Sequence, residues 1–208
     1  MMRKLAATTI VALAALSACS TDSEENESEA TSSGTTAEST DDGDASSEGN
    51  LMVVEDGVAT SSDGRFSLTL VDGWQAYPAP LDDRVNMTIL LVSDVNNAEF
   101  AANIIGTWAD GTVEGIPADY EEWSAAAGEA FTGEGVSVED AEPLDVDGET
   151  VEGLIVTREV DGVGLRQLVY PIFTDDGFQE IAYSASTDVF DDNLEDVLEM
   201  FGTLAPVS

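Results

Sequence analysis

Apolar and polar residues alternate along several stretches of the chain, and this period-two pattern predicts β-strands. In Gly64–Val71, Phe66, Leu68 and Leu70 alternate with polar residues, which is typical of a half-buried strand. Further runs rich in Val, Ile, Leu and Thr predict strands at Asn86–Val95, Ala101–Trp108, Ser137–Val146, Thr150–Val160, Val163–Phe173 and Phe178–Ser186.

Asp-Gly pairs separate the last four of these runs. They are Asp147-Gly148, Asp161-Gly162 and Asp176-Gly177. Asp-Gly suits the positive φ angles of tight hairpin turns, so we predict an antiparallel meander. A two-residue loop at Asp161-Gly162 would place Val160 opposite Val163 and Arg158 opposite Leu165.

Both faces of this predicted hairpin carry apolar residues away from the turn. One face has Leu154, Val156, Val160, Val163, Leu165 and Val169, and the other has Ile155, Leu168 and Tyr170. A sheet with one face in water alternates more cleanly. We therefore predict that other elements cover both faces.

Two segments with helical spacing are available for that role. The first begins at Pro117, a favoured first-turn residue, and ends near Phe131 or Thr132, with an apolar face of Tyr120, Trp123, Ala127 and Phe131. The second spans Val189–Phe201, with Asp188 as its predicted N-cap and an apolar stripe of Phe190, Leu194, Val197, Leu198 and Phe201. Residues 51–208 are thus predicted to form one α+β domain, an antiparallel sheet flanked by helices.

The start of the chain has a different pattern. Arg3 and Lys4 precede the uncharged segment Leu5–Leu16. This segment is shorter than the roughly 20 residues of a membrane span, and it has the length and flanks of a secretory signal core. Leu16-Ser17-Ala18-Cys19 resembles the bacterial lipobox. The resemblance implies cleavage between Ala18 and Cys19 and lipid attachment at Cys19, so residues 1–18 are interpreted as a lipoprotein signal peptide.

Ser20–Asn50 holds 10 acidic residues and no Lys or Arg, and the remainder is mostly Ser, Thr and Gly. Such a composition cannot bury enough apolar surface to offset backbone ordering. Residues 19–50 are predicted to be a lipidated cysteine and a disordered tether. The expected location is outside the cell, anchored by lipid to the outer face of the cell membrane.

The charge balance excludes one class of partner. The chain has 43 acidic and six basic residues, and after residue 18 it keeps four arginines and no lysine. Nucleic-acid binding depends on Lys and Arg at phosphates, so we expect no nucleic-acid partner. A saline habitat or a compositional bias accounts for the acidity at least as well as a ligand does.

The residue inventory also limits the chemistry. The chain has no His, which excludes Ser-His-Asp and Cys-His catalysis, and zinc, copper and haem lose their usual ligands. We predict no catalytic residues, no metal and no cofactor. Asp145-Val146-Asp147-Gly148-Glu149 superficially resembles a calcium loop, but Leu154 stands where an EF-hand needs Glu. A hairpin turn is the preferred interpretation.

The order of elements resembles a known fold. A strand with Phe66-Ser67-Leu68 is followed by Asp72-Gly73-Trp74, paired strands, a helix, a meander and a final helix. This order is similar to the Mog1/PsbP-like fold and to actinobacterial lipoproteins of the LpqN/LpqT type, over about Gly64–Leu204. The resemblance implies a sheet flanked by helices, no catalytic group, no cofactor and a link to cell-envelope assembly. It supplies no ligand residues.

Two functional hypotheses follow. The first is a non-catalytic binding or adaptor module, held at the membrane by its N-terminal lipid, for an envelope protein, lipid or glycan. The alternative is a carboxylate-based hydrolase of cell-wall polysaccharide, which needs two carboxyl groups facing a groove. A monomer is the simplest expectation, and the sequence leaves the oligomeric state open.

Overall fold

The computed structural model describes residues 51–77, 85–94 and 100–207. The predictions for residues 1–18 and 19–50, including Cys19 and the tether, lie outside these ranges. Within them the strands are β1 (Val53–Glu55), β2 (Val58–Thr60), β3 (Phe66–Thr69), β4 (Trp74–Ala76), β5 (Val85–Leu91), β6 (Asn103–Asp110), β7 (Ser137–Asp140), β8 (Leu144–Val146), β9 (Glu149–Val151), β10 (Leu154–Val160), β11 (Val163–Thr174), β12 (Gly177–Ser186) and β13 (Ala205–Pro206).

Seven of the described strands form one antiparallel sheet, called here the large sheet. Their order is β4-β5-β6-β12-β11-β10-β7. The β10–β11 hairpin has the predicted register, with Val160 opposite Val163 and Arg158 opposite Leu165. Asp161 and Gly162 have φ angles of 53° and 86°, as expected of the two-residue turn that sets this register.

The described residues also form a four-stranded sheet with the order β1-β2-β3-β13, called here the small sheet. Its first hairpin turns at Asp56-Gly57, where both φ angles are positive. β1 and β2 were not predicted. In β3 the predicted alternation is confirmed, because Phe66 and Leu68 are buried while Thr69 is exposed.

The first helix, α1, spans Tyr120–Ala130. The predicted start at Pro117 is wrong by three residues, because Asp119 is the N-cap and its carboxylate accepts a 3.0 Å hydrogen bond from the Glu122 N–H. The predicted apolar face is confirmed. Trp123 and Ala127 are buried with Tyr120 and Phe131 in one cluster against the large sheet.

The second helix, α2, spans Leu194–Gly202 and follows a 3-10 turn at Asp191–Asn193. The predicted start at Val189 with Asp188 as the N-cap is wrong. In a helix beginning at Val189, the carbonyl oxygens of Val189 and Phe190 would accept backbone N–H groups. Here they accept from side chains instead: Asn193 Nδ2 donates to the Val189 oxygen, and the Tyr183 hydroxyl donates to the Phe190 oxygen. The predicted stripe is confirmed, since its five residues all lie in the main core cluster.

Two predicted strands are each divided in the structure. Ser137–Val146 becomes β7 and β8, and Thr150–Val160 becomes β9 and β10. Pro143 lies at the first break and has no N–H for a sheet. At the second, a Cβ on Gly153 would collide with the Tyr170 ring. β8 and β9 pair only with each other among the described strands, as a separate hairpin.

The third predicted turn is shifted by one residue. Thr174 pairs with Gly177, so the loop is Asp175-Asp176 and Gly177 begins β12. A Cβ at Gly177 would collide with the Ala109 carbonyl oxygen. Glycine is therefore required here by the close approach of β6.

The two faces of the large sheet are covered by different elements. α1 packs on Leu154, Val169 and Phe178, and this side is called the α1 face. α2 and the small sheet pack on the opposite α2 face, which carries Leu168, Tyr170 and Ile181. The predicted α+β fold with helices on both faces is confirmed. The small sheet is a further cover that the sequence did not indicate. No helix within the described ranges has the length and apolarity to cross a membrane.

Candidate functional site

A groove of about 520 Å³ lies between the β8–β9 hairpin, the end of β11 and β13. It is called here the acidic groove. Its lining residues are Val146, Asp147, Glu149, Ile172, Phe173, Thr174, Asp175 and Pro206. Its volume falls within the range of small-ligand pockets, about 300–1,000 Å³.

The acidic groove combines an apolar floor with an acidic rim. Val146 and Ile172 are buried, whereas Asp147, Glu149 and Asp175 are exposed. None of the lining residues carries a positive charge. This arrangement can accept a cation that also offers apolar surface.

Local structure places the rim residues at the groove. Asp147 turns the β8–β9 hairpin with a φ of 53°, and the Gly148 N–H donates to Asp145 Oδ1 at 3.2 Å. The hairpin interpretation of Asp145–Glu149 is therefore confirmed. Asp175 comes from the β11–β12 loop. Among the described residues, no group of three or more His, Cys, Asp or Glu side chains is arranged to hold a metal ion.

On the α1 face, Glu180 is a buried carboxyl group. Its side chain is 6% exposed, and the Trp123 Nε1–H donates to its Oε2 at 2.9 Å. Burial raises the pKa of Glu180 from 4.5 to about 7, while the hydrogen bond from Trp123 opposes that rise. Glu180 therefore anchors α1 and titrates near neutral pH.

On the α2 face, the neighbouring residue Gln179 is fully buried and fully paired. Asn86 Nδ2 donates to Gln179 Oε1 at 2.8 Å, and Gln179 Nε2 donates to Asn86 Oδ1 at 3.0 Å. Asn86 Nδ2 also donates to Asp63 Oδ2. Gly106 leaves room for this pair, because a Cβ there would lie 2.5 Å from Gln179 Nε2.

Farther along the α1 face, polar groups are buried without partners. The atoms lacking a hydrogen bond in the described part of the chain include Thr88 Oγ1, Arg158 Nε and Gln167 Oε1. Burial lowers the pKa of the Arg158 guanidinium, and desolvation is the sole cause. The unpartnered buried groups on the α2 side are the indole N–H groups of Trp74 and Trp108.

The predicted site residues and the observed site do not overlap. Ala18 and Cys19 lie outside the described residues. Asp147 was predicted as part of a hairpin turn, with a calcium loop over Asp145–Glu149 rejected, and Asp175 was not singled out. A sequence signal for Glu180 exists, because it is the one charged residue in the strand segment Phe178–Ser186.

Comparison with known proteins finds the fold but no sequence relative. No protein-family model matches the chain, and no curated protein sequence does. The structure is similar to LpqN of Mycobacterium tuberculosis, described as involved in cell envelope biogenesis, with a TM-score of 0.52, 13% identity, and coverage of 69% of this chain and 83% of LpqN. At this identity the similarity concerns the fold, and it bears out the LpqN-like fold expected from the order of elements.

Two further solved structures are similar at lower scores. A Bacteroides thetaiotaomicron VPI-5482 protein has a TM-score of 0.45 and 8% identity, covering 77% of this chain and 49% of that one. PA94 of Pseudomonas aeruginosa, a protein of unknown function, has a TM-score of 0.47 and 14% identity, covering 67% of this chain and 90% of that one.

Proposed function

We propose that this protein is a lipid-anchored, non-catalytic binding module of the cell envelope, and that its acidic groove receives a basic segment of an envelope protein. The observation that carries the proposal is the groove itself, with an apolar floor and three carboxylates at its rim. Lys and Arg side chains fit such a surface, because their aliphatic stems lie on apolar groups while their charges reach the rim.

The charge of the whole chain supports a basic partner. With 43 acidic and six basic residues, the protein attracts cationic surfaces over a distance set by the Debye length, about 8 Å at physiological salt. Complementary charge raises the rate of association and disfavours acidic partners at the groove, whose lining has no positive charge. Anionic lipid headgroups are disfavoured at the groove for the same reason.

The anchor is proposed from the sequence. Leu16-Ser17-Ala18-Cys19 follows an uncharged segment of signal-peptide length, and two or more acyl chains at Cys19 would hold the protein stably at a membrane. Sharing its fold with LpqN, a protein involved in cell envelope biogenesis, supports the same location. Cys19→Ala should move the protein out of the membrane fraction and change the mass of its N-terminal peptide. Unchanged fractionation and mass would contradict the anchor.

Binding at the groove can be tested with a defined probe. An alternating Lys-Val decapeptide should bind the full chain, and a Glu-Val decapeptide of equal length should not. Replacing Asp147, Glu149 and Asp175 by their amides should weaken binding about tenfold, since each exposed ion pair contributes roughly 0.2–1 kcal/mol. Isothermal titration calorimetry provides the measurement.

A matched control separates the groove from the general charge. Glu121, Glu129 and Glu195 are exposed and do not line the groove. Their triple replacement by Gln removes the same charge and should leave peptide affinity nearly unchanged. Equal weakening in the two triple variants would show that the peptide senses only net charge, and the groove proposal would fail.

A second candidate function rests on the same carboxylates. The acidic groove brings three of them together, and a glycoside hydrolase needs two at a cleft. The assay is release of reducing ends from purified cell-wall polysaccharide by the full chain, with Asp147→Asn, Glu149→Gln and Asp175→Asn as variants. Activity that one of these variants abolishes would replace the binding proposal with a hydrolase.

A further inference from the structure

Arg158 differs from the other arginines in the described part of the chain. Arg65 lies beside Asp63 with Nε and Oδ2 3.6 Å apart, and Arg166 NH1 lies 2.8 Å from Asp191 Oδ1. Arg158 forms no ion pair with any described residue, although the chain has 43 acidic residues. Its Nε is buried and has no hydrogen-bond partner within the described ranges.

Gln167 presents a second buried group without a partner. Gln167 Nε2 donates to Ser184 Oγ at 2.9 Å, while its Oε1 has no partner among the described atoms. Gln167 is 9% exposed and Ser184 is 5% exposed. Rotating the Gln167 amide by 180° would place Oε1 beside Ser184 Oγ and leave Nε2 without a partner, so one end of the amide is unpaired in either orientation.

The sheet register brings these residues to one place on the α1 face. Gln167 is opposite Val156 on one side and Ser184 on the other. Arg158 is the next residue of β10 on this face after Val156. It is therefore a diagonal neighbour of Gln167, and the Cα atoms of such neighbours are about 7–8 Å apart. α1 packs one row away, on Leu154 and Val169, so the three polar residues lie beside the helix.

Leaving these groups buried and unpaired has a cost. An unsatisfied buried polar group destabilises a fold, and Arg158 Nε and Gln167 Oε1 are two such groups. Packing alone would be served better by Leu or Met at both positions. Arg158 as a whole is only half-buried, so a solute can reach the exposed part of its side chain, although Nε itself is buried.

We propose that Arg158, Gln167 and Ser184 form a binding site for a small hydroxylated anion, a phosphate or carboxylate with a neighbouring hydroxyl group. Guanidinium groups bind phosphate and carboxylate oxygens through paired N–H donors. A hydroxyl both donates and accepts, and it therefore satisfies whichever end of the Gln167 amide is free. This site is separate from the acidic groove and does not depend on the function proposed for it.

The probes are sn-glycerol 3-phosphate, D-glycerate and glycerol, titrated against the full chain by calorimetry. We expect at least one of the two anions to bind and neutral glycerol to give no heat at millimolar concentration. A parallel titration with monomeric dihexanoylphosphatidylglycerol asks whether the anion can be a lipid headgroup. Binding of either the free anion or the lipid supports the site, and the difference between them identifies the source.

Arg158→Gln should weaken binding about tenfold or more, since it removes hydrogen bonds from a charged donor. Arg166→Gln is the matched control, because Arg166 lies on the opposite face of the same hairpin and is paired with Asp191. No binding of any anionic probe, or an equal loss in the two variants, would overturn the proposal.

Arg158→Leu provides a measurement that separates ligand binding from a structural role. Without ligand, its melting temperature should equal or exceed that of the wild type, because the buried Nε has no partner to lose. The ligand-induced rise in melting temperature should disappear in this variant. A clear drop in melting temperature without ligand would mean that Arg158 holds the fold together, and the site would be rejected.

Discussion

The two faces of the large sheet differ in how their buried polar side chains are hydrogen-bonded. Gln179 and Glu180 are adjacent in β12 and therefore point to opposite faces. Gln179, on the α2 face, exchanges two hydrogen bonds with Asn86 inside an apolar cluster. Glu180, on the α1 face, is a buried acid that receives one hydrogen bond from Trp123 and has no cation beside it among the described residues.

The contrast extends beyond these neighbours. The α2 face is filled by aromatic contacts, including Tyr183 and Phe190 with centroids 4.9 Å apart. The α1 face holds an arginine whose Nε is buried and unpaired, and an amide whose oxygen is unpaired among the described residues. Apolar packing and fully paired polar groups stabilise a fold, whereas unpaired buried groups weaken it. The α2 face carries the larger apolar cluster, although the indole N–H groups of Trp74 and Trp108 are unpaired there, and we therefore expect it to contribute more to stability than the α1 face.

The largest expected effect is a loss of packing on the α2 face. Phe201→Ala removes a fully buried ring that meets Tyr170 edge-on at 6.2 Å, and the free energy of unfolding should fall by about 3–5 kcal/mol. Phe173→Ala, against the α1 side, removes a half-buried ring and should cost clearly less. Urea unfolding measures both. Equal losses would contradict a division of stability between the faces.

The next effect is a gain of stability on the α1 face. Glu180 holds a proton up to about pH 7 in the folded protein, whereas the ordinary value is 4.5. Its stabilising contribution is thus complete below pH 4.5 and is lost as the pH rises to about 7. Glu180→Gln keeps an oxygen that accepts the Trp123 N–H, and it has no buried carboxyl group that must ionise. At pH 8 it should therefore stabilise the protein by as much as about 3 kcal/mol.

The pH profile decides the interpretation of that variant. Near pH 4, Glu180→Gln and the wild type should have similar stability, and the difference should grow toward pH 8. Glu195→Gln removes an exposed charge on α2 and serves as the control. A gain that is independent of pH, or that Glu195→Gln matches, would show a general effect of net charge.

These features differ in how far the sequence could predict them. The helix stripes and the β10–β11 register follow from local periodicity and turn type, and both were predicted. The acidic groove was not, because it joins Asp147 and Glu149 to Asp175 from another hairpin. The start of α2 was misplaced for a similar reason, since the Tyr183 hydroxyl from β12 donates to the Phe190 carbonyl oxygen. Such contacts between distant residues have no period for a sequence pattern to display.

A smaller loss should follow from breaking the amide pair on the α2 face. Gln179→Leu leaves the buried Asn86 side chain without two hydrogen bonds, which should cost about 1–3 kcal/mol. Adding Asn86→Leu should restore part of that loss, because removing both partners leaves fewer buried polar groups unpaired. Thermal unfolding of the two single variants and the double variant measures the coupling. Additive losses would mean that the pair does not act as a unit.

The smallest effect concerns how each helix is held at its N-terminus. Asp119→Ala removes the cap of α1, whose carboxylate accepts the Glu122 N–H, and should cost about 1 kcal/mol. α2 has no side-chain cap at its start, so it depends on packing from its buried residues Val197, Met200 and Phe201. Asp188→Ala, at the cap position that the sequence favoured, should therefore destabilise the protein less than Asp119→Ala.

Because α1 has fewer buried residues than α2, with only Trp123 and Ala127 buried, loss of its cap should also speed amide hydrogen exchange within α1 and leave exchange in α2 unchanged. An equal increase in exchange rate in both helices would show that the two faces unfold as one unit. The faces would then differ in the free energy that they contribute, but not in how readily they open locally.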